Sequence, residues 1–217
     1  MYLLLIVVTL AIGFGAQAYV NRQIKKYSYV PISNGMTGYQ VAVGMLHYYG
    51  IHDVAVRMGR PGDNFFNPKD NSITLDPQSF NGSSITATAT ACHEVGHACQ
   101  YAQGYVPIKI RGAMVPVVNF ASNTWIFLLL IGIFLNIAGL IDLAIIFYAF
   151  AVLFQLVTLP VEFNASHRAL AYMETTGLPG SERSGAWSVL RACALTYVAA
   201  ALVSVLQLLY LLGSREE

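Results

Sequence analysis

Four stretches of this chain are too long and too apolar to fold as surface helices in water. Residues 1–20, 115–135, 140–159 and 192–212 carry almost no charge. Each is close to the ~20 residues that an α-helix needs to cross a bilayer. Inside lipid every backbone N–H and C=O must find a partner within the protein, so such runs are helical. The fold class expected is therefore a mainly α membrane protein with about four transmembrane helices. Composition agrees where it bears on the point: 56% of residues are hydrophobic and 11% charged, against roughly 25% charged in soluble domains. A net charge of +1 and the lack of any long basic run leave nothing for a nucleic-acid partner to recognise.

Charge also orients the spans. Ala16-Gln17-Ala18 resembles a signal-peptidase site, yet no cation precedes the first apolar run, and Arg22, Lys25 and Lys26 follow it directly. A cleaved signal carries its cations in front, so residues 1–20 read as an uncleaved anchor with the N-terminus outside. Residues 21–115 and 160–191 hold eleven of the twelve Lys and Arg residues, and only Arg215 falls elsewhere. The positive-inside rule puts both stretches on the cytoplasmic face. The organisation expected is an anchor (1–20), a cytoplasmic portion (21–115), two transmembrane helices (116–159), a second cytoplasmic segment (160–191) and a last span (192–213).

The first cytoplasmic portion reads as small and α+β. Thr37 and Gln40 have the spacing of a capping box, and the helix they open should stop at Gly50. Residues 54–56 are a short strand candidate. Residues 64–66 and 72–75 read as a hairpin around Asn67-Pro68-Lys69-Asp70-Asn71. A hairpin edge can pair with an extended peptide, or simply complete a small core. Asn81-Gly82-Ser83-Ser84 then caps a helix over about 85–102, ended by Gly104.

That helix contains His93-Glu94-Val95-Gly96-His97. Residues four apart share a helix face, so His93 and His97 can present two imidazoles to one zinc ion, with Glu94 placed to take a proton from water. A catalytic zinc takes three protein ligands and keeps one position open. Glu162 is the third ligand expected: a carboxylate at the end of an apolar span is costly unless exposed or bound, and Ala165 and Ser166 are small enough to let its helix lie close to the zinc helix. His167 competes with it, but stands about 140° around the helix from Glu162. His167 and Arg168 are the candidates to stabilise a developing oxyanion, ahead of Tyr172. His47 and His52 read as surface or packing residues. Cys92, Cys99 and Cys193 are too few for a disulfide framework and read as free thiols.

Several stretches together resemble the YugP-like family of bacterial membrane zinc-dependent neutral metallopeptidases. They are Lys26-Tyr27-Ser28, Gly35-Met36-Thr37-Gly38, Tyr105-Val106-Pro107, Val115-Pro116-Val117-Val118-Asn119, residues 152–163 and residues 194–201. The similarity covers nearly the full length. It implies a membrane-embedded zinc peptidase and a bacterial inner (cytoplasmic) membrane location, multi-pass, with the active site facing the cytoplasm. A motif-level likeness links the chain to gluzincins, which pair H-E-x-x-H with a downstream E-x-x-A-D. Glu162 and Ala165 match that pattern, but Ser166 stands where those enzymes place an aspartate behind a zinc histidine.

The function expected is a zinc metalloendopeptidase, with a small zincin-like cytoplasmic portion, hydrolysing peptide bonds through a zinc-activated water at the cytoplasmic membrane face. Zn2+ is the cofactor expected. The expected partners are the lipid bilayer and a peptide or membrane-protein substrate, with room for a homo-oligomer or a membrane-protein partner. The alternative is a catalytically silent zinc-binding membrane scaffold or adaptor.

Overall fold

The computed structural model describes residues 2–214. Met1 and Arg215, the lone cation outside the two charged stretches, lie outside the described residues. The chain is a mainly α membrane protein with a small three-stranded sheet. The elements are α1 (Tyr2–Ser28), α2 (Gly38–Tyr48), β1 (Ala55–Met58), β2 (Phe65–Asn67), β3 (Ser72–Leu75), α3 (Pro77–Asn81), α4 (Ile85–Ala102), α5 (Val106–Phe134), α6 (Ala138–Thr175) and α7 (Gly180–Gly213). Helices α1, α5, α6 and α7 are long and apolar enough to cross a membrane.

The chain divides into two compact units. One comprises Met1–Ala16, Val106–Pro160 and Thr196–Glu217; the other comprises Gln17–Tyr105 and Val161–Leu195. In the first unit the turn between α5 and α6 is tight, because Gly132 has no side chain to meet Ile141. Trp125 and Tyr148 pack ring against ring there, at 4.6 Å between centroids.

The second unit is organised around α4, fourteen of whose eighteen residues are buried. A helix this enclosed must be apolar or small nearly all round, and Ala87, Ala89, Ala91, Cys92, Val95, Ala98 and Cys99 supply that. Ser84 caps its first turn through Ala87 N–H, and Gly104 takes the positive φ of 69° that ends it. Helix α2 packs on α4 by burying Val41, Ala42, Met45 and Leu46. Its capping box is complete: Thr37 Oγ1 accepts from Gln40 N–H, and the Gln40 side chain accepts from Thr37 N–H. The expected hairpin is present, with β2 antiparallel to β3. β1 runs parallel to β3 on its other side, giving the order β1-β3-β2 and two edge strands. Central β3 supplies Ile73 and Leu75 to the core.

Five elements differ from the sequence reading, two of them by length alone: α1 runs on to Ser28, and α7 begins at Gly180 rather than near 192. Helix α3 was not expected; Asp76 caps it through Ser79 N–H, and a proline opens it, a combination suited to a helix start. Helix α5 begins at Val106 rather than 115, with Pro107 in its first turn, where a missing N–H costs nothing. Residues 140–159, read as a span, and the helix of Glu162, read as part of the cytoplasmic segment that follows, are one helix with Pro160 inside it. Prolines inside transmembrane helices are tolerated when neighbouring groups re-satisfy the freed carbonyl.

Candidate metal centre

The centre lies where α4 meets the C-terminal part of α6. Contact this close needs small residues on both helices. A Cβ built on Gly96 would stand 2.6 Å from the carbonyl oxygen of Ala165 and 3.0 Å from its Cα. Gly96 is therefore the only kind of residue that fits between the two histidines at this separation. Ala165 is fully buried on the facing side. Glu162 lies one turn before Ala165 and is carried to within reach of both imidazoles.

Ligand atoms of His93, His97 and Glu162 all fall within 4.8 Å of one another. Glu162 Oε2 lies 3.2 Å from His93 Nε2 and 3.7 Å from His97 Nε2. Both histidines are held from behind. Ser166 Oγ is 3.2 Å from His93 Nδ1, and Gln100 Oε1 is 3.1 Å from His97 Nδ1. With each Nδ1 engaged, each Nε2 is left to face Glu162. Ser166 thus stands behind His93 as the aspartate does in the gluzincin pattern, without its charge. Gln100 is fully buried; its Nε2 donates to Val161 O at 2.7 Å and to Asn164 Oδ1 at 3.1 Å. Asn164 Oδ1 also accepts from Arg168 Nε, and Arg168 Nη1 donates to Gln103 Oε1.

Electrostatics favour a cation here. Burial alone would push the His97 imidazole below its ordinary value. The Glu162 hydrogen bond, the charges of Glu94 and Glu162, and the Gln100 bond outweigh it and hold His97 above. Glu94 is buried at 7% exposure and adds a second carboxylate beside the imidazoles. Burial pushes the Cys92 thiol well up and that of Cys99 up to about 11. Both therefore remain neutral, buried thiols rather than ready metal ligands.

The other residues singled out from the sequence lie elsewhere. His167 is exposed, beside Trp187 and Arg191. Tyr172 is buried against Tyr48 in the core. His47 and His52 stack edge to face on the surface, 5.2 Å apart. Gln100 and Gln103 were not foreseen. Gln100 lies three residues after His97, a spacing that puts two side chains on one helix face, and this was the available signal.

The sequence matches, over residues 2–215, the family described as "Putative neutral zinc metallopeptidase", and the chain belongs to it. It is also 42% identical over 211 residues, 96% of this chain and 94% of the relative, to "Putative membrane protease YugP" of Bacillus subtilis (strain 168). No solved structure matches the chain. Zinc is the metal of this family, and the donors fit it: two imidazoles and one carboxylate form a set typical of catalytic zinc, each imidazole being oriented through its far nitrogen.

Proposed function

We propose that the chain is a zinc metalloendopeptidase hydrolysing peptide bonds at the cytoplasmic face of a bacterial inner membrane. The observation that supports this reading most is the convergence of His93, His97 and Glu162 with the buried Glu94 beside them. His93, His97 and Glu162 hold the metal. Zinc, when bound, polarises the scissile carbonyl and brings the pKa of water towards 7. Glu94 accepts the proton of the attacking water and delivers it to the leaving amine. Ser166 and Gln100 hold the imidazoles in orientation. Arg168 supplies positive charge for the carbonyl oxygen as it gains charge, whereas His167, exposed beside Trp187 and Arg191, is left without that role. The hydrogen bonds that fix the Arg168 guanidinium go to two neutral amides, so they leave its charge uncompensated. The concentration of Lys and Arg in residues 21–115 and 160–191 supports the cytoplasmic orientation.

Glu94→Gln tests the reading. The variant should keep its fold and its zinc and lose proteolysis. Retained cleavage would overturn the mechanism. A zinc-holding scaffold without turnover would be indifferent to this substitution.

A further inference from the structure

A cleft of about 460 Å3 opens beside α4 on the N-terminal side of the histidines. Its floor includes Thr86 and Thr90. At 100° per residue and with Thr86 at zero, Thr90 stands at about 40°, His97 at about 20°, His93 at about −20° and Glu94 at about 80°. The cleft and the metal centre therefore lie along one stripe of the same helix, the direction in which an extended chain over the histidines would run towards the cleft. Its walls are fixed. Thr86 Oγ1 donates to Ile24 O at 3.0 Å, tying the last turns of α1 to α4. Opposite, Asn64, which leads into edge strand β2, donates its Nδ2 to Asp76 Oδ2 and accepts from Asp76 N–H.

The charge of the cleft is uneven. The Asp76 carboxylate is committed to Asn64 and to the N–H of Ser79. Lys25, on the α1 wall, is exposed, and among the described residues no carboxylate pairs with it. Its neighbour Ile24 is level with Thr86. Seven residues of helix separate Thr86 from His93, about 10 Å, and an extended peptide covers that distance in about three residues.

We infer that this cleft binds an extended substrate segment with an acidic side chain, paired with Lys25, three or four residues from the scissile bond. The inference rests on the hydrolytic reading above for its substrate, and on the cleft alone for its chemistry. The test uses peptides identical except for Asp, Asn or Lys at that position. Cleavage is measured with the full-length protein in detergent, and binding with its zinc-loaded Glu94→Gln variant. Asp should be favoured over Lys by about fivefold, the scale of a partly exposed ion pair. Lys25→Glu should invert the order while zinc content stays unchanged. An order unchanged in folded, zinc-loaded Lys25→Glu overturns the assignment. Thr90→Tyr gives an independent check: it should raise KM for the full peptide and leave unaffected a peptide truncated on the cleft side. Equal effects on both peptides would also overturn it. If the wild type cuts nothing but Lys25→Glu still inverts binding, the hydrolytic reading fails and the cleft assignment stands.

Discussion

Gly96→Ala should uncouple metal affinity from stability. The added methyl would stand 2.6 Å from Ala165 O, 3.0 Å from its Cα and 3.1 Å from its carbonyl carbon. All three are backbone atoms of α6, so no side chain can rotate away. Restoring ordinary contact at 3.4 Å requires the helices to separate by about 0.8 Å. Overpacking of this kind costs about 1–3 kcal/mol. Alanine in a helix interior recovers up to about 1 kcal/mol relative to glycine, so the net loss of stability should be about 0–2 kcal/mol. The metal centre has no such compensation. Glu162 sits one turn from Ala165 and moves with it, away from both imidazoles. A loss of about 1.4–2.8 kcal/mol at the ion is tenfold to a hundredfold in affinity. Competition with a fluorescent zinc chelator reads the affinity, and thermal unfolding of the metal-free protein reads stability. Gly112→Ala, on α5 with open space around it, is the control and should leave affinity unchanged. Zinc affinity within twofold of wild type in Gly96→Ala would refute the claim that this glycine sets the ligand geometry.

Ser166→Asp should tighten zinc binding, and Ser166→Ala should loosen it, because the group on His93 Nδ1 sets the basicity of that ligand; the same chelator titration decides. Gln100→Ala should lower stability by about 1–3 kcal/mol in chemical denaturation, since it leaves His97 Nδ1 and Val161 O buried without this partner, and should weaken zinc by about tenfold to a hundredfold. The metal-free protein should lose stability as pH rises. His97 is held above its ordinary value in the folded state, so its contribution is fully present below the unfolded histidine value of about 6.5 and disappears as pH climbs through the raised folded value. Over the same range zinc affinity should increase, because the ion displaces that proton. A metal-free melting temperature that rises across this window would contradict the sign.

Local chemistry made much of the scaffold legible. Thr37 and Gln40 announced α2, and Ser84 with Gly104 gave the ends of α4. The alternation of Ser72-Ile73-Thr74-Leu75 gave the hairpin partner. The spans followed from length and apolarity. What escaped was set by neighbours distant in sequence. Pro160 reads as a helix break in the sequence, yet α6 runs through it. Gly96 looked like an unremarkable x in H-E-x-x-H until Ala165 lay against it. Gln100 drew no reading from the sequence, although it joins His97 to Val161 and Asn164. Glu162 was found because a charge at the end of an apolar run calls for a reason. Its partners could not be read off until two segments 69 residues apart were in contact.

The Gln100 bridge ties the orientation of His97 to the backbone that carries Glu162. A backbone carbonyl can only accept, so Val161 O dictates that the amide nitrogen of Gln100 faces it and the amide oxygen faces His97. That oxygen requires the His97 proton on Nδ1 and leaves the Nε2 lone pair available. The direction of the whole relay is thus dictated by a main-chain atom that no side-chain substitution can delete. Val161 is also the residue before Glu162. Drawing α6 away from α4 withdraws the third ligand and, in the same movement, frees His97 to take the wrong tautomer. The ion should therefore leave from two ligands at once, and partly loaded states with a single ligand detached should be scarce.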